Sequence, residues 1–146
     1  MKFADIPGLT DIKQTLAAAA RTNHSAHAQL FAGAPGALNL PLALAYTAYL
    51  HCENRTESDS CGVCPACSKN AKYIHPDTHF VFPLSNVSSE KDDDKLKAEI
   101  TKSWRSFLLT QPFGNLDDWC NYYGGEDKLA IISRDESREI IKTLSL

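Results

Sequence analysis

Four of the chain's five cysteines, Cys52, Cys61, Cys64 and Cys67, stand in one stretch with the spacing C-x8-C-x2-C-x2-C. Two overlapping C-x-x-C turns follow a longer loop, and such turns aim pairs of sulfurs at one ion. Four thiolates about 2.3 Å from a tetrahedral Zn²⁺ make a closed structural site, with no position left for water or substrate. Iron–sulfur ligation fits the pattern less well. There the fourth cysteine follows downstream and precedes a proline, whereas here Cys52 lies upstream and Pro65 sits inside the cluster. A disulfide framework needs an oxidising compartment, and the opening Met1-Lys2-Phe3-Ala4-Asp5 carries no apolar secretory core. A thioredoxin-like pair would not bring two further cysteines at metal spacing. The expectation is one structural zinc on Cys52, Cys61, Cys64 and Cys67 in a cytoplasmic protein, with Cys120 a buried thiol outside the set.

A second stretch invites comparison with the phosphate-binding pattern G-x-x-x-x-G-K-[ST]. It reads Gly33-Ala34-Pro35-Gly36-Ala37-Leu38-Asn39-Leu40. Gly33 fits the pattern. Leu38 replaces the glycine that lets backbone N–H groups approach phosphate, Asn39 the lysine that reaches the terminal phosphates, and Leu40 the hydroxyl that holds Mg²⁺. ATP is therefore not expected as a cofactor, and no catalytic residue is assigned. A plain strand-to-helix turn, with Asn39 as N-cap and Pro41 in the first helical turn, accounts for the same residues. Weak anion binding at the helix N-terminus stays open.

The elements around these two stretches follow from periodicity and punctuation. Thr10 can cap a helix to about Arg21, with Ile12, Leu16, Ala19 and Ala20 on one stripe. The short apolar run Ala28–Ala32, ended by Gly33, reads as a buried strand, and His79–Phe82 as a second. Between them, Leu40 to about Leu50 is apolar nearly all round, so that helix should be buried, and it feeds directly into Cys52. A short helix over Ser68–Tyr73 should lead away. His75 and His79 are expected to be ordinary turn and strand histidines. Further on, Leu96, Ile100, Trp104, Phe107 and Leu108 mark an amphipathic helix. Asn115 or Asp117 can start a second one that buries Leu116, Trp119 and Tyr123. The Lys91-to-Lys95 charge run reads as a solvated helix start. Leu129–Ile132 reads as strand, and Ser133 with Glu136 forms a capping box for a last helix carrying Ile140, Ile141 and Leu144.

At 146 residues and 43% hydrophobic, the chain suits one domain burying roughly two-thirds of its unfolded surface. No apolar run approaches the ~20 residues of a membrane span. A net charge of -3 argues against a free-standing electrostatic grip on nucleic acid.

Taken together, Phe3–Ile6, Ile12–Leu16, His27–Phe31, the altered loop, the cysteine set and His75-Pro76-Asp77 resemble the N-terminal AAA+ module of bacterial clamp-loader subunits of DNA polymerase III. In that family a zinc module is inserted after this helix. The resemblance implies an α/β, three-layer, P-loop-like parallel sheet core with a four-cysteine zinc module (52–67) and a helical insertion (about 85–127). It implies that residues 1–146 are the N-terminal part of an AAA+ domain, with lid and collar domains absent and the sheet incomplete. The motor subunits, gamma/tau, keep an intact loop. Its loss here resembles the delta prime branch, a non-hydrolysing stator. By that resemblance the partners are gamma/tau and delta, with the sliding clamp and primed DNA met through the assembled complex. A degenerate gamma/tau subunit, or a zinc-binding adaptor with no nucleotide role, are the alternatives.

Overall fold

The computed structural model describes residues 1–85, 93–125 and 129–144. They separate into two compact units, Met1–Thr78 and His79–Leu146.

The first unit packs a short 3-10 turn, Phe3–Asp5, with helices α1 (Thr10–Arg21), α2 (Asn39–His51) and α3 (Pro65–Asn70). Helix α2 is the centre of this unit. It carries no charged residue before His51 and buries Leu42, Ala45, Tyr46 and Tyr49 in the core. Phe3 and Ile6 cover one side of it, and Ala17 and Ala20 of α1 the other, where methyl side chains permit close approach. Of the expected stripe of α1, Ala20 is buried and Leu16 packs half-buried against this cluster, whereas Ile12 is 47% exposed and Ala17 is buried in addition. Thr10 is the first helical residue and not the cap. Leu9 stands at the cap position instead, left-handed like Gly8 (φ 57°) and with no side-chain hydrogen bond to the helix.

The expected parallel sheet is not present among the described residues. The runs 28–32 and 79–82 carry no ladder, Ala28 lies in a bend, and Leu30 is 90% exposed. A strand exists only by exchanging hydrogen bonds with a neighbouring strand, and an apolar run alone does not supply that neighbour. Among the described residues the one β contact is an antiparallel bridge between Leu84 and Ile131, whose N–H and C=O groups exchange bonds at 3.0 Å in each direction.

The second unit contains α4 (Asp93–Thr110), α5 (Leu116–Tyr123) and α6 (Arg134–Leu144), and an aromatic core forms between α4, α5 and Phe82. Phe82 stacks on Trp104 at 4.6 Å, and Trp119 meets both rings edge-on at 5.3 and 4.9 Å. The Trp119 indole N–H donates to the Pro83 carbonyl at 2.9 Å, so its one polar group is satisfied in the core. The buried stripe of α4 runs through Trp104, Phe107 and Leu108, whereas Leu96 is 42% exposed, as is Leu116 of α5 at 47%. Asn115 caps α5 through the N–H groups of Asp117 and Asp118, while Asp118 closes the capping box on the Asn115 N–H at 2.8 Å. Gly124 ends that helix with φ 77°. Ser133 and Glu136 form the anticipated box at the start of α6. Residues 86–92, which include most of the polar opening of the insertion and the start of the Lys91-to-Lys95 run, lie outside the described residues, as does Lys128.

Candidate metal centre

The C-terminus of α2 delivers the first cysteine. Cys52 caps the helix, donating its N–H to the Tyr49 carbonyl at 3.2 Å, and its extended backbone (ψ 124°) turns the chain away from the axis. Residues 53–60 then fold back through a turn in which Thr56 N–H donates to the Asp59 carbonyl at 2.9 Å and Asp59 N–H donates to Thr56 Oγ1 at 3.0 Å. Cys61 and Cys64 bracket Gly62, whose φ of 76° a side chain would strain, and Val63, which is 83% exposed at the tip. Cys64 is the N-cap of α3, followed by Pro65, so this helix starts inside the cysteine cluster and ahead of the expected Ser68.

The four Sγ atoms lie within 4.8 Å of one another. Cys61 Sγ and Cys67 Sγ are 3.9 Å apart. Two sulfurs about 2.3 Å from a tetrahedral zinc would stand about 3.8 Å apart. Backbone N–H groups point at three of the sulfurs: Cys61 N–H to Cys52 Sγ at 3.2 Å, Cys64 N–H to Cys61 Sγ at 3.4 Å, and Cys67 N–H to Cys64 Sγ at 3.4 Å. Such donors stabilise thiolate over thiol. The N–H groups of Val63 and Cys64 draw the Cys61 thiol down to about 6, and that of Cys67 lowers Cys64. Burial acts the other way on Cys52, which is raised, and on Cys67, which is pushed up to about 12. Donor type, separation and N–H pattern all fit a structural zinc ion. Cys120 lies on α5 in the second unit, half-buried and outside this cluster.

The centre is tied to the helical core at several points that the sequence did not announce. Both oxygens of Asp59 accept backbone N–H groups of the N-terminal turn, from Phe3 at 3.1 Å and Ala4 at 2.9 Å. The Tyr49 hydroxyl donates to the Thr56 carbonyl at 2.8 Å, and the Arg55 guanidinium lies 5.9 Å from the centre of the Tyr49 ring. On the other flank His51 stacks on His75 at 4.0 Å and meets the Asn70 side chain. Burial, and then the neighbouring His51, hold the His75 pKa low, so the ring is neutral at pH 7. His79 is exposed in the second unit.

The altered phosphate loop is folded as a tight turn. Ala37 N–H donates to the Ala34 carbonyl at 2.9 Å across Pro35 and Gly36, the latter at φ 83°. A Cβ on Gly33 would lie 2.4 Å from Ala37 Cβ, so that glycine serves the turn itself. Leu38 packs against the core. Asn39 is the first residue of α2 and not its cap, because its side-chain amide instead donates to the Phe31 carbonyl at 3.3 Å.

Residues 8–118 match the family model described as DNA polymerase III, delta subunit. No curated protein and no solved structure matches the chain. The matched span covers well over half of the 146 residues and contains both the altered loop and all four clustered cysteines. This chain therefore belongs to the DNA polymerase III delta-subunit family, a family related to the clamp loader.

Proposed function

We propose that this chain is a delta prime-type subunit of the DNA polymerase III clamp loader, a non-hydrolysing stator that helps place the sliding clamp on primed DNA in the cytoplasm. The observation that carries this reading is the family match spanning a loop whose phosphate, lysine and Mg²⁺ positions are Leu38, Asn39 and Leu40. In that loop Leu38 packs half-buried against the core and the Asn39 side chain donates to the Phe31 carbonyl, contacts that support this reading. ATP turnover would then belong to gamma/tau, with delta and gamma/tau as direct partners. Residues 1–146 would form the N-terminal part of an AAA+ module, with the zinc module at 52–67 and a helical insertion at about 85–127.

When bound, zinc supplies a crosslink and no reaction chemistry. Cys52 would join it to α2, Cys64 and Cys67 to α3, and Cys61 to the loop between them. The missing ladder among the described residues favours a second reading, a zinc-binding adaptor with no AAA+ role. Reconstitution separates the two. Mixed with purified gamma/tau and delta from the same source, the chain is expected to co-elute as a stoichiometric complex with clamp-loading activity. Changing the gamma/tau lysine should abolish ATP turnover in that complex. Failure to enter the complex would overturn the stator reading and leave the adaptor.

A further inference from the structure

The N-terminal turn lies directly on the metal centre. Its backbone is fixed by two carboxylates: Lys2 N–H donates to Asp5 Oδ2 at 2.7 Å, and the Phe3 and Ala4 N–H groups donate to Asp59, two positions before Cys61. The Lys2 side chain then runs over Gly62. A Cβ on that glycine would be in ordinary contact with it, 3.5 Å from Lys2 Cδ and 3.6 Å from Nζ, which places the lysine stem and its ammonium beside the knuckle between Cys61 and Cys64. Lys2, Cys61 and Cys67 line one cavity of about 300 Å³. Among the described residues lining it, Lys2 carries the one cationic side chain, and Asp5, which also lines it, accepts the Lys2 backbone N–H through Oδ2.

Four thiolates around Zn²⁺ sum to a net double negative charge. Held in partly buried surroundings, that charge is costly unless a cation or N–H dipoles face it. Three N–H groups already do. We propose that the Lys2 ammonium is the counter-charge of the zinc–thiolate centre, so that metal loading fixes the N-terminal turn, with Phe3 and Ile6, onto the core. This inference rests on the zinc assignment. It makes the metal more than a local clasp: Phe3 and Ile6 are each 2% exposed and close one side of the hydrophobic cluster around α2.

The test uses the full chain and two variants. Lys2→Met keeps the stem over Gly62 and removes the charge, whereas Lys2→Arg keeps the charge. Zinc affinity is measured by competition with a chromophoric chelator. Lys2→Met is expected to bind zinc about tenfold more weakly, at the lower end of what partners around a metal ligand contribute, and Lys2→Arg to stay close to wild type. High salt should narrow the gap between Lys2→Met and wild type through screening. Lys2→Met equal to wild type, or Lys2→Arg as weak as Lys2→Met, would overturn the counter-charge. Hydrogen exchange on the wild type needs no variant. Stripping zinc should speed exchange at the Phe3 and Ala4 amides, and unchanged protection there would overturn the coupling. A wild-type chain that holds no zinc overturns the metal assignment itself, and is told apart because every variant then reads alike.

Discussion

Cys61 and Cys67 present their sulfurs 3.9 Å apart in opposite electrostatic settings. Backbone donors draw Cys61 down to about 6, whereas burial pushes Cys67 up to about 12 and also raises Cys52. At pH 7.5 Cys61 is therefore mostly ionised, while Cys52 and Cys67 carry protons that must leave before zinc is bound. Zinc binding at that pH is expected to release at least two protons, one each from Cys52 and Cys67. Affinity falls as pH falls, and more steeply below about 6, where Cys61 also holds a proton. Titration calorimetry in buffers of different ionisation enthalpy reads the proton count, and a count of zero would contradict this assignment. At the loop, Leu38 and Asn39 are held by the core and by Phe31. Calorimetry is therefore expected to detect no tight Mg·ATP binding, and micromolar affinity would refute that account. Leu38→Gly, Asn39→Lys and Leu40→Thr together would restore the pattern but release both contacts, so loss of stability is expected along with any gain in binding.

At the scale of elements, α5 shows how local and tertiary contributions differ in size. Asn115 closes a capping box, so Asn115→Ala is expected to cost about 1 kcal/mol. Trp119 is 1% exposed and is surrounded by Phe82, Trp104, Phe107 and Tyr123, so Trp119→Ala is expected to cost about 3–5 kcal/mol. Urea unfolding followed by far-ultraviolet circular dichroism measures both, and a Trp119→Ala loss no larger than the Asn115→Ala loss would contradict the packing assigned here. The capping box of α6 and Asn115 as one of two candidate caps of α5 were legible because such signals need only residues a few positions apart. The composition of α2 likewise foretold its burial on nearly every side. The strands at 28–32 and 79–82 were misjudged for the opposite reason. Apolar, β-branched or aromatic runs state that a segment prefers an extended, covered backbone, but the pairing partner is not written in the segment. The departure in the α1 stripe has the same origin, since only tertiary contact decides that Ala17 is buried beside Ala20 while Ile12 is exposed.

For the whole molecule, the two units rest on different principles. The first couples a helical core to a cysteine cluster, and the second closes on stacked aromatic rings. The cluster itself was legible because ligands of one ion sit close in sequence. Its anchorage was not, since Asp59 meets Phe3 and Ala4 across more than fifty residues. Among the described residues no helix is long and apolar enough to cross a membrane. The geometry of the first unit predicts that Cys52, Cys61, Cys64 and Cys67 together hold one zinc ion. Native mass spectrometry of the purified chain tests it most directly, beside Cys→Ser variants at these four positions and at Cys120. One zinc per wild-type chain is expected, retained in Cys120→Ser and lost or loosened in each of the other four; a metal-free wild type, an iron-bearing one, or zinc lost on replacing Cys120 would contradict the assignment.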